Sequence, residues 1–166
     1  PSKEAVATSV SLVIRGQQIR LAALLETREA IEPFCAQLAA RYRTADDLKV
    51  LDAANEAIAD ENSTLAAFLQ ANVDWHVGVA IASHNELLTG LMTALSRAIY
   101  TATENERFID AEVRRLTAKA HLSITEAIRA QNPEAAVRRM NRHVHSYAQA
   151  VLEVEERTEI SVPEEA

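Results

Sequence analysis

The chain has 166 residues, 48% hydrophobic and only 4% aromatic, with Gly 3 and Pro 4, enough for one domain with a full core and too little turn material for an all-β fold. A net charge of -7 opposes nucleic-acid binding by this chain alone, because phosphate contacts need a basic surface. No apolar run approaches the ~20 residues a bilayer span requires, and the single cysteine, Cys35, cannot form an internal disulfide, so a reducing cytoplasm is the simplest compartment.

The pattern reads as helices from end to end. A short first helix or linker covers Pro1 to Ile14 and is broken at Gly16. The second helix is "RLAALLETREAIEPFCAQLAARY", with Leu21, Leu24, Ile31, Cys35 and Leu38 on its apolar side. Pro33 inside it removes a backbone donor and crowds the preceding turn, which predicts a kink near Glu29 to Pro33. Thr44 is the expected N-cap of the third helix, with Asp46 and Asp47 favourable in its first turn. Ser63 is the expected cap of the fourth, which ends near Ser83 to Asn85. A fifth runs from Glu86 to Thr101 and a sixth from Asn105 to Ala130. "QNPEAA" restarts the chain, with Asn132 as N-cap and Pro133 in the first helical position, where its missing N–H costs nothing. The last helix runs to Thr158, and 159–166 reads as a frayed tail. Short connections between long amphipathic helices imply one all-α domain over 1–166, an antiparallel helical bundle of six or seven helices.

Polar residues interrupt the apolar stripes at a few positions. Asn72 and His76, in "NVDWH", share a face with Leu69 and Val79. His121 lies on a face with Ile124 and Ile128, and His143 lies between Met140 and Tyr147. Singly, each histidine reads as a satisfied core residue. Together, three inward histidines on three helices can converge on one divalent ion, since imidazole is a common transition-metal ligand and bundles build sites from inward side chains. Asn72 offers a carbonyl oxygen as a weak fourth ligand. His84 and His145 read as exposed or capping. Arg28 has two readings, an i,i+4 pair with Glu32 or a carboxylate clamp in a pocket. Trp75 reads as a packing or interface residue rather than a stacking platform. Tyr147 suits either the core or the pocket. Cys35 reads as an inert buried thiol.

Three segments carry a resemblance. "ETREAIEPFCAQLAA", "NVDWHVGVAIASHNELL" and "AHLSITEAIRAQNPEAAVRRMNRHV" resemble, in order, the signatures of the FadR-type C-terminal effector (FCD) domain of GntR-family transcription regulators, over about Val10 to Leu152. The resemblance implies an all-helical bundle that binds a divalent metal (zinc, nickel or manganese) and a small organic or sugar acid. Its metal ligands, an Asp and three His, fall on Asn72, His76, His121 and His143; its acid-binding arginine falls on Arg28. It further implies a homodimer that reaches DNA only through an N-terminal winged helix-turn-helix absent from this stretch, and no membrane partner. Two positions depart from the pattern. Asn72 replaces Asp and removes a negative charge from the coordination shell, which weakens metal binding and favours an anionic effector. His84 replaces Gly at a position that can require positive φ.

The expected function is ligand sensing, not catalysis. A metal-dependent hydrolase would need a general base beside the histidines, and no carboxylate shares their face: Asp74 is two residues from both Asn72 and His76. A purely structural helical domain would bind neither metal nor acid.

Overall fold

The computed structural model describes residues 20–103 and 109–159, together with Ala5, Thr8 and Ser9. The expected first helix, the break at Gly16 and the tail beyond 159 otherwise lie outside the described residues. Among the described residues there are six helices and no strand: α1 (Leu21–Tyr42), α2 (Ala45–Ala59), α3 (Leu65–Ala82), α4 (Glu86–Thr103), α5 (Ala111–Arg129) and α6 (Pro133–Glu159). The all-α expectation holds.

Helix α1 is the hub of the bundle, in contact with α3, α4, α5 and α6. Its buried side carries Ala36, Ala39 and Ala40, all fully enclosed, and side chains this small let neighbouring helices approach closely. The helix continues through Pro33. Its buried face also includes Arg28 and Glu32, two charged groups that an apolar interior tolerates only as a pair. The core around α1 is built from Leu51, Phe68, Trp75, Met92, Ile124, Ile128 and Met140. Helices α2 and α3 meet closely at Gly78, where an added Cβ would stand 3.1 Å from Leu51 Cδ2.

Local signals set most boundaries. Thr44 and Asp47 form a reciprocal capping box at the start of α2, which satisfies two otherwise orphaned donors. Asn132 Oδ1 accepts from Ala135 N at 3.0 Å, with Pro133 first in α6, as the sequence predicts. Asn85 Oδ1 accepts from Leu87 N and Leu88 N at the start of α4.

Two starts differ from expectation. The cap of α3 is Thr64, whose side chain accepts from Ala67 N. Ser63 instead closes the turn after α2, its N–H donating to Asp60 O at 3.1 Å. Helix α5 begins at Ala111 because Asp110 takes the cap role, accepting from Val113 N at 2.8 Å. The residues 104–108, where an earlier start was expected, lie outside the described residues. His84, after α3, has φ 53°, the left-handed region foreseen for that position; its ring reaches Asp47 Oδ2 at 2.9 Å.

Candidate functional site

Three helices each place one histidine in the interior. His76 comes from α3, His121 from α5 and His143 from α6, and one ring nitrogen of each lies within 4.8 Å of the others. The closest pair is His121 Nε2 and His143 Nε2, 2.9 Å apart. His76 and His121 are essentially sealed, and His143 is the most open at 9% exposed. The convergence expected from helical spacing is therefore present.

The rings are held by partners from other helices. Trp75 stacks on His121 with centroids 3.8 Å apart and planes 10° apart. Its indole Nε1 donates to Thr125 Oγ1 at 3.0 Å, and Asn55 Nδ2 donates to the same oxygen at 2.9 Å. Thr125 thus anchors the indole that fixes the His121 ring. The sequence reading disfavoured Trp75 as a stacking platform because it projects off the His76 face. It does leave that face, and in doing so meets a histidine on α5, a juxtaposition set by helix packing and invisible in local spacing.

Arg28 and Glu32 complete the cluster from α1. Arg28 Nε donates to Glu32 Oε1. The other carboxylate oxygen, Oε2, lies 2.6 Å from His76 Nδ1. A carboxylate can only accept, so Nδ1 carries the proton and Nε2 keeps the lone pair. Arg28 Nη2 stands 2.9 Å from that Nε2 and 3.2 Å from Nδ1, over the face of the ring. The guanidinium also lies over the Tyr147 ring, 5.5 Å from its centroid, so Tyr147 belongs to the cluster's wall. The i,i+4 pair of Arg28 with Glu32 is present, and Arg28 also borders a cleft. The absence of a carboxylate from the histidines' own faces does not mean that none is near: Glu32 reaches His76 from α1. Asp74 is exposed and accepts from Gln70 Nε2 at 2.8 Å.

A narrow cleft opens beside His76, lined by Arg28, Leu69, Asn72, Val73, Ser96 and Tyr100, with a free volume of about 10 Å³, room for about one water. Asn72 is therefore placed next to Arg28 and His76. Ser96 Oγ is buried there with no hydrogen-bond partner, and so is His121 Nδ1 within the cluster. Buried polar atoms are normally paired, and unpaired ones mark a place where an additional group belongs. His145, on the far face of α6, is exposed and meets Glu29 Oε1 at 2.8 Å, as expected for a surface histidine.

Burial, reinforced by the neighbouring imidazole of His143, drives the His121 pKa well below the usual histidine value. Burial and then the positive fields of His76 and Arg28 push His143 down to about 3. His76 is also lowered, by burial opposed by Glu32. Burial works against the Glu32 charge, but Arg28 and His76 outweigh it and hold the carboxyl below the usual range. Burial, with Glu32 nearby, pushes the Cys35 thiol up to about 12, which leaves it inert.

Neutral imidazoles are the form that ligates a metal. Two nitrogens about 2.1 Å from one zinc ion lie roughly 3.0–3.4 Å apart at tetrahedral or octahedral angles. The His121–His143 pair is already at 2.9 Å, and all three nitrogens lie within 4.8 Å of one another. The carboxylate-bound His76 is a further sign of a donor set that fits a divalent ion.

The same shifts make folding pH-dependent. Each imidazole is neutral in the folded chain and protonates near pH 6.5 when unfolded. Stability is therefore complete above pH 6.5 and falls as pH drops from there toward the folded values. At pH 5 the loss from His143, lowered to about 3, is on the order of 2 kcal/mol, and the lowered His121 and His76 act in the same direction; Glu32, with its lowered pKa, adds little in this window. Urea unfolding of chelator-treated protein at pH 7.5 and pH 5 should show that loss, and equal stability at the two values would contradict buried neutral histidines.

The interior of this all-α bundle brings together three imidazoles, an arginine and a carboxylate. Residues 23–146 match the FCD domain family, and the chain belongs to that family, as its three sequence motifs suggested. It is 32% identical over 117 residues to the galactonate operon transcriptional repressor of Escherichia coli (strain K12), an alignment covering 70% of this chain and 51% of that protein. It is also similar to the solved structure of Streptococcus agalactiae GntR, with a TM-score of 0.62 and 29% identity, over 77% of this chain and 57% of that one. The chain thus spans about half the length of the curated relative it matches.

Proposed function

We propose that this chain is the ligand-sensing domain of a GntR-type DNA-binding transcription regulator. In this reading it holds a divalent metal at His76, His121 and His143, with Asn72 as a further oxygen donor. A small organic or sugar acid lies against Arg28. The observation that carries the reading is the meeting of three neutral, buried imidazoles from three separate helices. The relatives support the regulatory role, since the Escherichia coli protein is by name the repressor of a galactonate operon. Galactonate is a sugar acid, a carboxylate with several hydroxyls.

The bound ion would supply a Lewis-acidic anchor for an effector oxygen. The rest follows from the chain's own groups. Arg28 offers a charge-assisted fork for a carboxylate, and Ser96 Oγ offers an unpaired hydroxyl in the same cleft. The donors proposed for the ion are all neutral, so an anionic effector restores charge balance in a buried site. The cleft is too small for a multi-carbon acid as it stands, so admitting one has to displace the α3 and α4 side chains that line it. Binding and helix packing are then linked, and the effector shifts the domain by its differential affinity for the two packings. Homodimerisation and DNA contact through a winged helix-turn-helix belong to the same proposal.

Catalysis is not favoured. Both Glu32 oxygens are committed, to Arg28 and His76, and its lowered pKa makes it a poor base. Among the described residues no helix is long and apolar enough to cross a membrane.

The test is a thermal-shift screen of galactonate and other small carboxylic and sugar acids against the zinc-loaded protein, with and without a chelator. At least one acid should raise the melting temperature, and the chelator should abolish the rise. No shift with any acid, or a shift indifferent to the chelator, would contradict a joint metal and acid site.

A further inference from the structure

The three imidazoles do not explain why the interior also contains a carboxylate. Glu32 is 1% exposed and lies on α1, which supplies none of the histidines. One of its oxygens is bound by Arg28 Nε, and the other is 2.6 Å from His76 Nδ1. A buried ion pair needs only the first contact. The second selects one tautomer of His76 and aims the ring.

We propose that Glu32 is the positioning residue of His76: it takes the Nδ1 proton and thereby presents the Nε2 lone pair to the metal. This rests on the metal-site reading above. A carboxylate that accepts from the distal nitrogen of a ligating histidine fixes the ring and raises its basicity, and losing such a partner costs 10–100-fold in metal affinity. Glu32 is also the carboxylate in contact with a candidate ligand, and the donors themselves are neutral, so it brings negative charge next to a divalent ion. Arg28 enters the same balance. Its Nη2 stands 2.9 Å from Nε2 and 3.2 Å from Nδ1, over the face of the ring, which leaves the in-plane Nε2 lone pair open to an ion. Glu32 retains its bond to Arg28 Nε while its bond to Nδ1 keeps His76 in register. Glu32 is thus shared between the arginine that would receive an acid and the histidine that would receive a metal.

Zinc affinity should be measured by competition with a chromophoric chelator for the wild type and Glu32→Gln, with circular dichroism as the folding control. The amide keeps the shape and removes the charge, and the expected result is about 10–100-fold weaker zinc binding by a folded protein. Long-range ¹H–¹⁵N correlation spectra of the zinc-free wild type provide an independent readout, expected to show His76 protonated on Nδ1 with a free Nε2 lone pair before any ion is bound. An Arg28–Glu32 ion pair that did not position the ring would leave zinc-free His76 in the ordinary Nε2–H tautomer. Unchanged zinc affinity in Glu32→Gln, or a wild-type His76 protonated on Nε2, overturns the assignment of Glu32 while leaving the metal site standing. A wild type that binds no zinc overturns both. If Glu32→Gln does not fold, the wild-type tautomer alone decides.

Discussion

Truncating Trp75 to alanine is expected to destabilise the domain by about 3–5 kcal/mol, the range for removing a large aromatic from a packed core. Trp75 is the largest fully buried side chain. Its loss removes the face on which His121 stacks and the indole donor to Thr125. Thr125 keeps its bond from Asn55, so the vacated volume is apolar on one side and polar on the other and cannot collapse cleanly. Trp75→Phe should cost less, because a ring still covers His121 while only the N–H bond is lost. Urea unfolding followed by circular dichroism measures both. A cost below 1 kcal/mol for the alanine variant would mean that the core is not organised around the indole.

Replacing any one of His76, His121 or His143 by alanine is expected to weaken metal binding by more than the 10–100-fold that follows from losing a residue behind a ligand, because each is a proposed ligand. The same change at His84 or His145 should leave metal affinity unaltered. Those two rings lie on the surface and pair with Asp47 and Glu29. The single tryptophan makes the comparison direct, since its indole lies against His121 and its fluorescence reports the centre. A titration in which His84→Ala or His145→Ala behaves like His121→Ala would place the ion elsewhere.

Much of this organisation is legible in the sequence because it is local. Caps such as Thr44 and Asn132 act within one turn, and the inward facing of His76, His121 and His143 follows from helical spacing. The sequence points to Ser63 as the cap where the structure uses Thr64, because the two have the same chemistry and only the turn geometry assigns them. The long-range contacts had no such signal. Glu32 was expected to pair with Arg28 at i+4, and it does, but its second oxygen meets a residue 44 positions away. Trp75 likewise meets His121 only because α3 packs next to α5 in that register. The cluster's three histidines could be read from faces, whereas the groups that orient them could not.

The most direct test is elemental analysis of the wild type and of a variant with His76, His121 and His143 all changed to alanine, each reconstituted with zinc and freed of excess ion. The wild type should retain close to one ion per chain and the triple variant none. A wild type without zinc, or a triple variant that keeps it, would contradict a metal centre built by the three helices.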